Sequence, residues 1–437
     1  MFAVLPIFLF LYFSWGVYKW SFFNLQGLSR KFLLSAFVLK IIAGLALTYL
    51  YTYYYDIREE ADTYRYFDDS YHLHRVFFDS PVKYFRILLG IDEGKDLLPY
   101  LDAMNNWFPQ ERNTFYNDNR TVIRINALLR WISFGNYYVH LLFFSFASFY
   151  GITFIYKAFH RYFSGKKIWL GLIIFFLPSL VFWSSAVLKE GPLLFFFGIT
   201  LNVLNKIFTK RAYWQHYLLL CFCFLCLFHI KFYVGLTLVP AITGYLWILY
   251  KKGPHPIIKM ITNFGVYFLA AVLKHEHSFR WSFFSVLKWK RSAFLGLAEK
   301  VKAKSLIETG QLEDTPISFL KYFMLGFFNA VSRPFPWEIY SIVILPNAIE
   351  NIIVFAFISF CIWYGQIKNF DKIGYFFIMF AFGLLTIIGM VTPIIGSLVR
   401  YKIPAIPFLL MFFLLFLNKE KSKKTLLLFN KKKTYYE

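Results

Sequence analysis

The sequence predicts an all-α polytopic membrane protein with about eleven transmembrane helices. Three observations carry that prediction. Of 437 residues, 58% are hydrophobic and only 16% charged, with 57 Phe and 31 Tyr, and the mean hydropathy is +0.51. Apolar stretches of about 16 to 22 residues recur along the chain, long enough as helices to cross a hydrocarbon core about 30 Å thick. The short polar loops between them are basic on one side in alternation, as expected of cytoplasmic loops.

Other classes fit poorly. A transmembrane β-barrel would show alternating segments of about ten residues, and none is seen. The net charge of +23 is spread over short loops without a zinc-knuckle or helix-turn-helix pattern, so no nucleic-acid partner is expected. Cys221, Cys223, Cys226 and Cys361 all lie inside apolar runs and read as small packing residues. The opening "MFAVLPIFLFLYFSWGVYKW" has no basic leader and no small-residue cleavage site, and reads as a retained span.

Apolar runs fall near residues 2–18, 32–55, 136–157, 168–184, 191–206, 214–229, 231–250, 256–273, 346–364, 373–392 and 403–418. With these as spans, the loops bearing Lys19, Arg30 and Lys31, then Lys157 to Lys167, Lys206 to Arg211, Lys251 to Lys259, Lys368 and Lys372, and the basic tail 419–437 share the cytoplasmic side. Two long segments, 56–135 and 274–345, are then extracytoplasmic. In the second, the mixture of Trp and Phe with Lys and Arg between Lys274 and Lys304 suits a helix in the headgroup layer. "ISFLKYFMLGFFNAVSRPFPWE" reads as interfacial or re-entrant, because counting it as a span would put the basic tail outside.

This topology gathers the unusual polar residues on the outer face. "WSSAVLKEGPLLF" sets Lys189 beside Glu190 between two apolar runs, with Gly191 and Pro192 where a helix would start. The free amides of such a helix end, next to an ammonium, suit a phosphate. Glu190 is then the counter-ion of Lys189 or a carboxylate that positions a donor or a metal; the plain alternative is that both residues mark the water boundary. Lys40 alone sits deep in an apolar run and is expected to snorkel.

In "REEADTYRYFDD", Asp62 lies just beyond the second span among Tyr64, Tyr66 and Phe67, where partial burial would tune a carboxylate towards a useful base. Asp68 with His72 and His74 is a weak metal pattern. His229 and Lys231 mark the outer turn after the sixth span. In "SRPFPWE", two prolines stiffen the backbone around Arg333, Trp337 and Glu338, presenting a guanidinium for phosphate or an interfacial anchor. Arg400 and Lys402 open the last span and allow the same two readings.

Taken together, the order of span, long acidic outer loop, two spans, short outer loop with an acid, and span resembles the conserved module of GT-C superfamily glycosyltransferases, offset by one N-terminal span. Asp62 matches the acidic position of that module's first outer loop, and Glu190 falls in its second. "VRYKIPAIPFLL" is similar to a late-span motif of such enzymes and of bacterial surface-polysaccharide membrane proteins, and "RPFPWE" is similar to a motif in polysaccharide-biosynthesis membrane proteins. The organisation that follows is an extra span and cytoplasmic loop over 1–31, a GT-C-like module over 32–273, an interfacial segment over 274–345, C-terminal spans over 346–418 and a tail over 419–437.

The resemblance implies a glycosyltransferase that takes a polyprenyl-phosphate-linked sugar on the outer face of a bacterial inner membrane and passes it to a glycan, lipid or protein acceptor. Asp62 would be the base, with Glu190 orienting the acceptor or Lys189. Lys189, Arg333 and Arg400 would hold the lipid phosphate, with Tyr66, Lys231, Trp337 and Glu338 in support. A divalent ion, Mg2+ or Mn2+, would fall to Glu60 and Asp62. A polymerase of lipid-linked oligosaccharide repeats could use the same residues, and a flippase without covalent chemistry is the third reading.

Overall fold

The computed structural model describes residues 4–54, 58, 61–91, 94–107, 118–272, 283–300, 305–307, 310, 312–313, 315–339, 344–366 and 370–418. Glu60, the tail 419–437 and the ends of the basic-aromatic segment lie outside the described residues. Among those described, the elements are helical, and strand pairing is limited to the isolated bridges Leu306–Ile394 and Gly365–Leu417.

In chain order the helices are α1 (Val4–Lys19), α2 (Arg30–Tyr54), α3 (Asp62–Asp79), α4 (Pro81–Leu88), α5 (Leu98–Asp102), α6 (Asp118–Ser133), α7 (Tyr137–Phe159), α8 (Lys167–Phe175) and α9 (Pro178–Trp183). There follow α10 (Glu190–Phe208), α11 (Trp214–Tyr250), α12 (Pro256–Val272), α13 (Phe283–Lys300), α14 (Pro316–Ser332), α15 (Leu345–Trp363), α16 (Ile373–Val391), α17 (Ile395–Tyr401) and α18 (Ile406–Phe416). Six are long and apolar enough to cross a membrane, those beginning at Arg30, Tyr137, Glu190, Trp214, Leu345 and Ile373. The pair α17 and α18, bent by 59°, makes a seventh if it counts as one span.

The structure refines the apolar runs in three places. The run 168–184 is two short helices, because Pro178 has no N–H to continue the ladder and starts α9 instead. The runs either side of residue 230 are two helices that meet at a kink at Lys231, where the backbone is non-helical, and α11 denotes the two together. The segment read as interfacial forms α14, which packs backbone to backbone on α16. A Cβ at Gly389 would strike the carbonyl of Gly326.

The chain divides into two compact units. The first holds 1–159, 174–176 and 180–232. Its centre is the parallel contact of α7 with α10, where Gly151 and Gly198 let the backbones touch. Outside these spans α3 to α6 enclose a core of Leu73, Tyr84, Trp107, Val122 and Ile123. Asp69 ties this layer together by accepting the backbone N–H of Asn105 at 3.1 Å and of Asn106 at 2.8 Å. Burial pushes its carboxyl up from the ordinary range against those bonds. Arg130 of α6 donates to Ser70 Oγ and to the Phe67 carbonyl of α3, and burial pulls its guanidinium down to about 10. The second unit holds 160–173, 177–179 and 233–437, with α14, α16 and α18 at its centre.

Candidate functional site

The first unit builds its site on a gap between α9 and α10. Residues 184–189 are not helical, and peptide groups left open at membrane depth are costly. Two serines answer for the carbonyls and a lysine holds the Ser184 side chain. Ser148 Oγ donates to the Ser184 carbonyl at 2.7 Å, Ser145 Oγ to the Ser185 carbonyl at 2.5 Å, and Lys40 Nζ to Ser184 Oγ at 2.5 Å. Lys40 therefore does not snorkel: it is 1% exposed. Gly44 lets α2 approach, since a Cβ there would meet the Ser185 carbonyl.

Because of this gap α10 starts deep. Gly191 in its first turn lies against Phe144, seven residues into α7. At 1.5 Å per residue that is about 10 Å along the helix. Lys189 precedes the first turn and Glu190 opens it, both buried.

Their partners differ from a simple neighbour pair. Lys189 Nζ lies 2.8 Å from Asp118 Oδ2, donates to Asn119 Oδ1 at 2.6 Å, and sits 5.3 Å from the centre of the Tyr66 ring. Glu190 Oε1 lies 3.8 Å from Lys231 Nζ, and this pair is also buried. Lys231 can reach it from the break in α11, whose preceding turn accepts Thr121 Oγ1 at the His229 carbonyl. Two adjacent residues thus head two ion pairs, Lys189 with Asp118 and Glu190 with Lys231.

Asp62 begins α3, where an acid complements the positive helix end, and lies 3.3 Å from Arg65 Nη1. One turn on, on the same face, is Tyr66, whose ring borders Lys189. The start of α3 is pinned by Tyr137, whose hydroxyl bonds Thr63 and Thr48, and by Tyr64, bonded to Thr52 at 2.6 Å. Tyr66 thus meets Lys189, Glu190 pairs with Lys231, and Asp62 stands one helical turn from Tyr66 along α3. Asp118 and Asn119 are the members that sequence reasoning missed. Their only signal was a polar "NDNR" ahead of a helix, 70 positions from Lys189.

The described residues do not fit a divalent metal. They hold no group of three or more His, Cys, Asp or Glu side chains placed for one. Asp62 lies against Arg65 and Asp118 against Lys189, while Glu60 lies outside the described residues. The pattern of Asp68, His72 and His74 is also spent otherwise. Asp68 takes both Arg58 nitrogens at 2.8 and 3.0 Å, and the His74 ring packs 4.7 Å from Trp131.

In the second unit Arg333 pairs with Glu338, whose other oxygen accepts the Phe335 N–H at 2.9 Å, and its Nε donates to Asn329 Oδ1. Trp337 is exposed and stacks on Phe335 at 4.7 Å. Asn351 Nδ2 donates to the carbonyls of Ser332 and Pro334, and Lys402 Nζ donates to Asn351 Oδ1 and to the Arg333 carbonyl, both at 3.0 Å. Glu350 accepts Ser179 Oγ at 2.6 Å together with the Ser179 N–H. Arg400 is buried in the last turn of α17. The Arg333 guanidinium, which the sequence offers as a phosphate ligand or an interfacial anchor, is thus clasped by Glu338 in a loop fixed by Asn351 and Lys402.

Comparison of the chain with protein-family models, curated proteins and solved structures returned no match.

Proposed function

We propose that the protein is a membrane glycosyltransferase of GT-C-like topology, with about eleven crossings of a bacterial inner membrane, acting on its outer face. Its donor is a sugar on polyprenyl phosphate, its acceptor a glycan, lipid or protein, and its role lies in surface polysaccharide or glycoconjugate assembly. The observation that carries this reading is the buried Lys189 at the start of α10, bordered by Tyr66, which itself stands one helical turn from Asp62 along α3.

In the proposed step, Asp62 takes the proton of an acceptor hydroxyl as its oxygen bonds to the anomeric carbon. The bond from that carbon to the phosphate oxygen breaks, and its electron pair leaves on the polyprenyl phosphate. The Lys189 ammonium stabilises the growing negative charge. Glu190 holds Lys231 and keeps the cluster's charge balanced. Arg333, already bound to Glu338, is not needed for this step.

A second reading has one observation behind it. The break between α17 and α18 carries Lys402, buried near Glu350, and broken helices with buried ionisable groups are a feature of transporters. A lipid-linked glycan flippase is that reading.

Surface glycans of cells lacking the gene, rescued with wild type, Asp62→Asn or Lys189→Met at equal membrane levels, test the proposal. Failure of both variants supports the transferase. Loss of long chains with single repeats retained points to the polymerase of lipid-linked repeats, and loss of one sugar to single-sugar transfer. Full rescue by both removes the site, and failure of Lys402→Met alone then moves the function to transport.

A further inference from the structure

We infer that Asp118 stands where a phosphate oxyanion sits in the loaded protein, so that a phosphate ligand reaches Lys189 by exchanging for this carboxylate. The inference rests on the lipid-phosphate reading above and adds how the site is kept when empty.

The two partners of the ion pair are unequally held. The Lys189 side chain is 10% exposed and springs from the segment that Ser145 and Ser148 pin to α7. The Asp118 side chain is 27% exposed and sits at the very start of α6. Solvent competes for the exposed partner, so the contact opens from the Asp118 side.

The charges agree with an exchange. Lys189 pairs with Asp118 and Lys231 with Glu190, so each of the two pairs is neutral in itself. A lysine buried this deeply needs a counter-ion while no ligand is present. With Asp118 withdrawn, the Lys189 ammonium is left with one uncompensated positive charge just before the first turn of α10. That vacancy matches a singly charged phosphate ester and gives no advantage to a neutral sugar. Asn119, uncharged, keeps the ammonium aimed through its 2.6 Å contact. Asp118 is thus a built-in competitor for the anion subsite, and it sets how tightly an anion must bind to enter.

The test uses the full chain in nanodiscs of zwitterionic lipid, titrated separately with a short-chain polyprenyl monophosphate, inorganic phosphate and the neutral polyprenol. Asp118→Asn is expected to bind the lipid monophosphate about tenfold tighter than wild type, equivalent to roughly 1.4 kcal/mol. Lys189→Met is expected to lose that binding, and neither change should affect the polyprenol. Tightening with inorganic phosphate too would support the exchange and assign it to the phosphate alone. Tightening with the lipid only would support it with the chain required. Equal or weaker binding by Asp118→Asn, with wild type binding normally, overturns the inference and leaves the donor reading intact. If wild type binds no phosphate probe, the lipid-phosphate reading and the inference fall together. Asp118→Ser, with its unfolding midpoint measured, serves as the second variant should Asp118→Asn fail to fold.

Discussion

Glu190 and Lys231 meet at 3.8 Å, and each is almost excluded from solvent. The pair links the first turn of α10 to the break in α11, two places where the backbone leaves regular helix. Removing one member of a buried pair strands the other charge, at a cost of about 3–5 kcal/mol. Glu190→Gln and Lys231→Met are therefore each expected to destabilise the protein by that order, and the double variant to regain most of the loss. Denaturant unfolding in detergent measures it. A double variant no more stable than the worse single one would show that the two charges do not depend on each other.

The segment 184–189 depends on two serines of α7. Ser145→Ala with Ser148→Ala leaves the carbonyls of Ser185 and Ser184 without these donors. Each unsatisfied buried group costs about 1–3 kcal/mol. The double alanine variant is expected to lose the sum in unfolding experiments and to weaken rescue of glycan synthesis, because Lys189 hangs from this segment. Thr at both positions keeps the hydroxyls and should restore most of each effect. Full activity in the alanine variant would show that the segment is held by packing alone.

The helical class and the positions of the long spans were legible because apolar runs must be buried in lipid or protein, whatever the partners. The adjacency of Lys189 and Glu190, and the placement of Asp62 beyond a span, could also be read along the chain. Their partners could not. Asp118 reaches Lys189 only because α6 packs on α3 and α7, and nothing local distinguishes its aspartate from other acids between the spans. Lys40 illustrates the opposite failure: a lysine in a span snorkels when only lipid surrounds it, but here the hydroxyl of Ser184 receives it at depth. The clasp of Arg333 on Glu338 was visible as residues and invisible as a bond. Gly326 and Gly389 bring α14 onto α16, a match of two small residues 63 positions apart that hydropathy does not register.

Asp69 provides a pH test outside the spans. Burial raises its carboxyl above the ordinary 3.8, against the two backbone N–H bonds it accepts. The folded chain then holds this proton more firmly than the unfolded chain. Its stabilising contribution is full below pH 3.8 and is lost as the pH rises through the higher folded value. Asp69→Asn carries a constant cost from the lost acceptor but should lack this slope. Unfolding midpoints of both chains across the acid range should draw together as the pH rises, and parallel curves would show that Asp69 does not titrate differently on folding.

Gly198 sets how close α10 comes to α7. A Cβ there would run into the carbonyl of Gly151, which is backbone and cannot rotate away. Gly198→Ala must push the two helices apart, with an expected loss of about 1–3 kcal/mol from overpacking. Gly265 in α12 is the control, since nothing lies within 4 Å of a Cβ at that position. There the added methyl should stabilise by about 0.5–1 kcal/mol through helix propensity. Because Lys189 and Glu190 stand at the start of α10, separation from α7 should also disturb the ion pairs at that end. Gly198→Ala is therefore expected to reduce glycan rescue more than its stability loss accounts for, whereas a heat-sensitive variant with normal rescue at low temperature would confine the effect to folding.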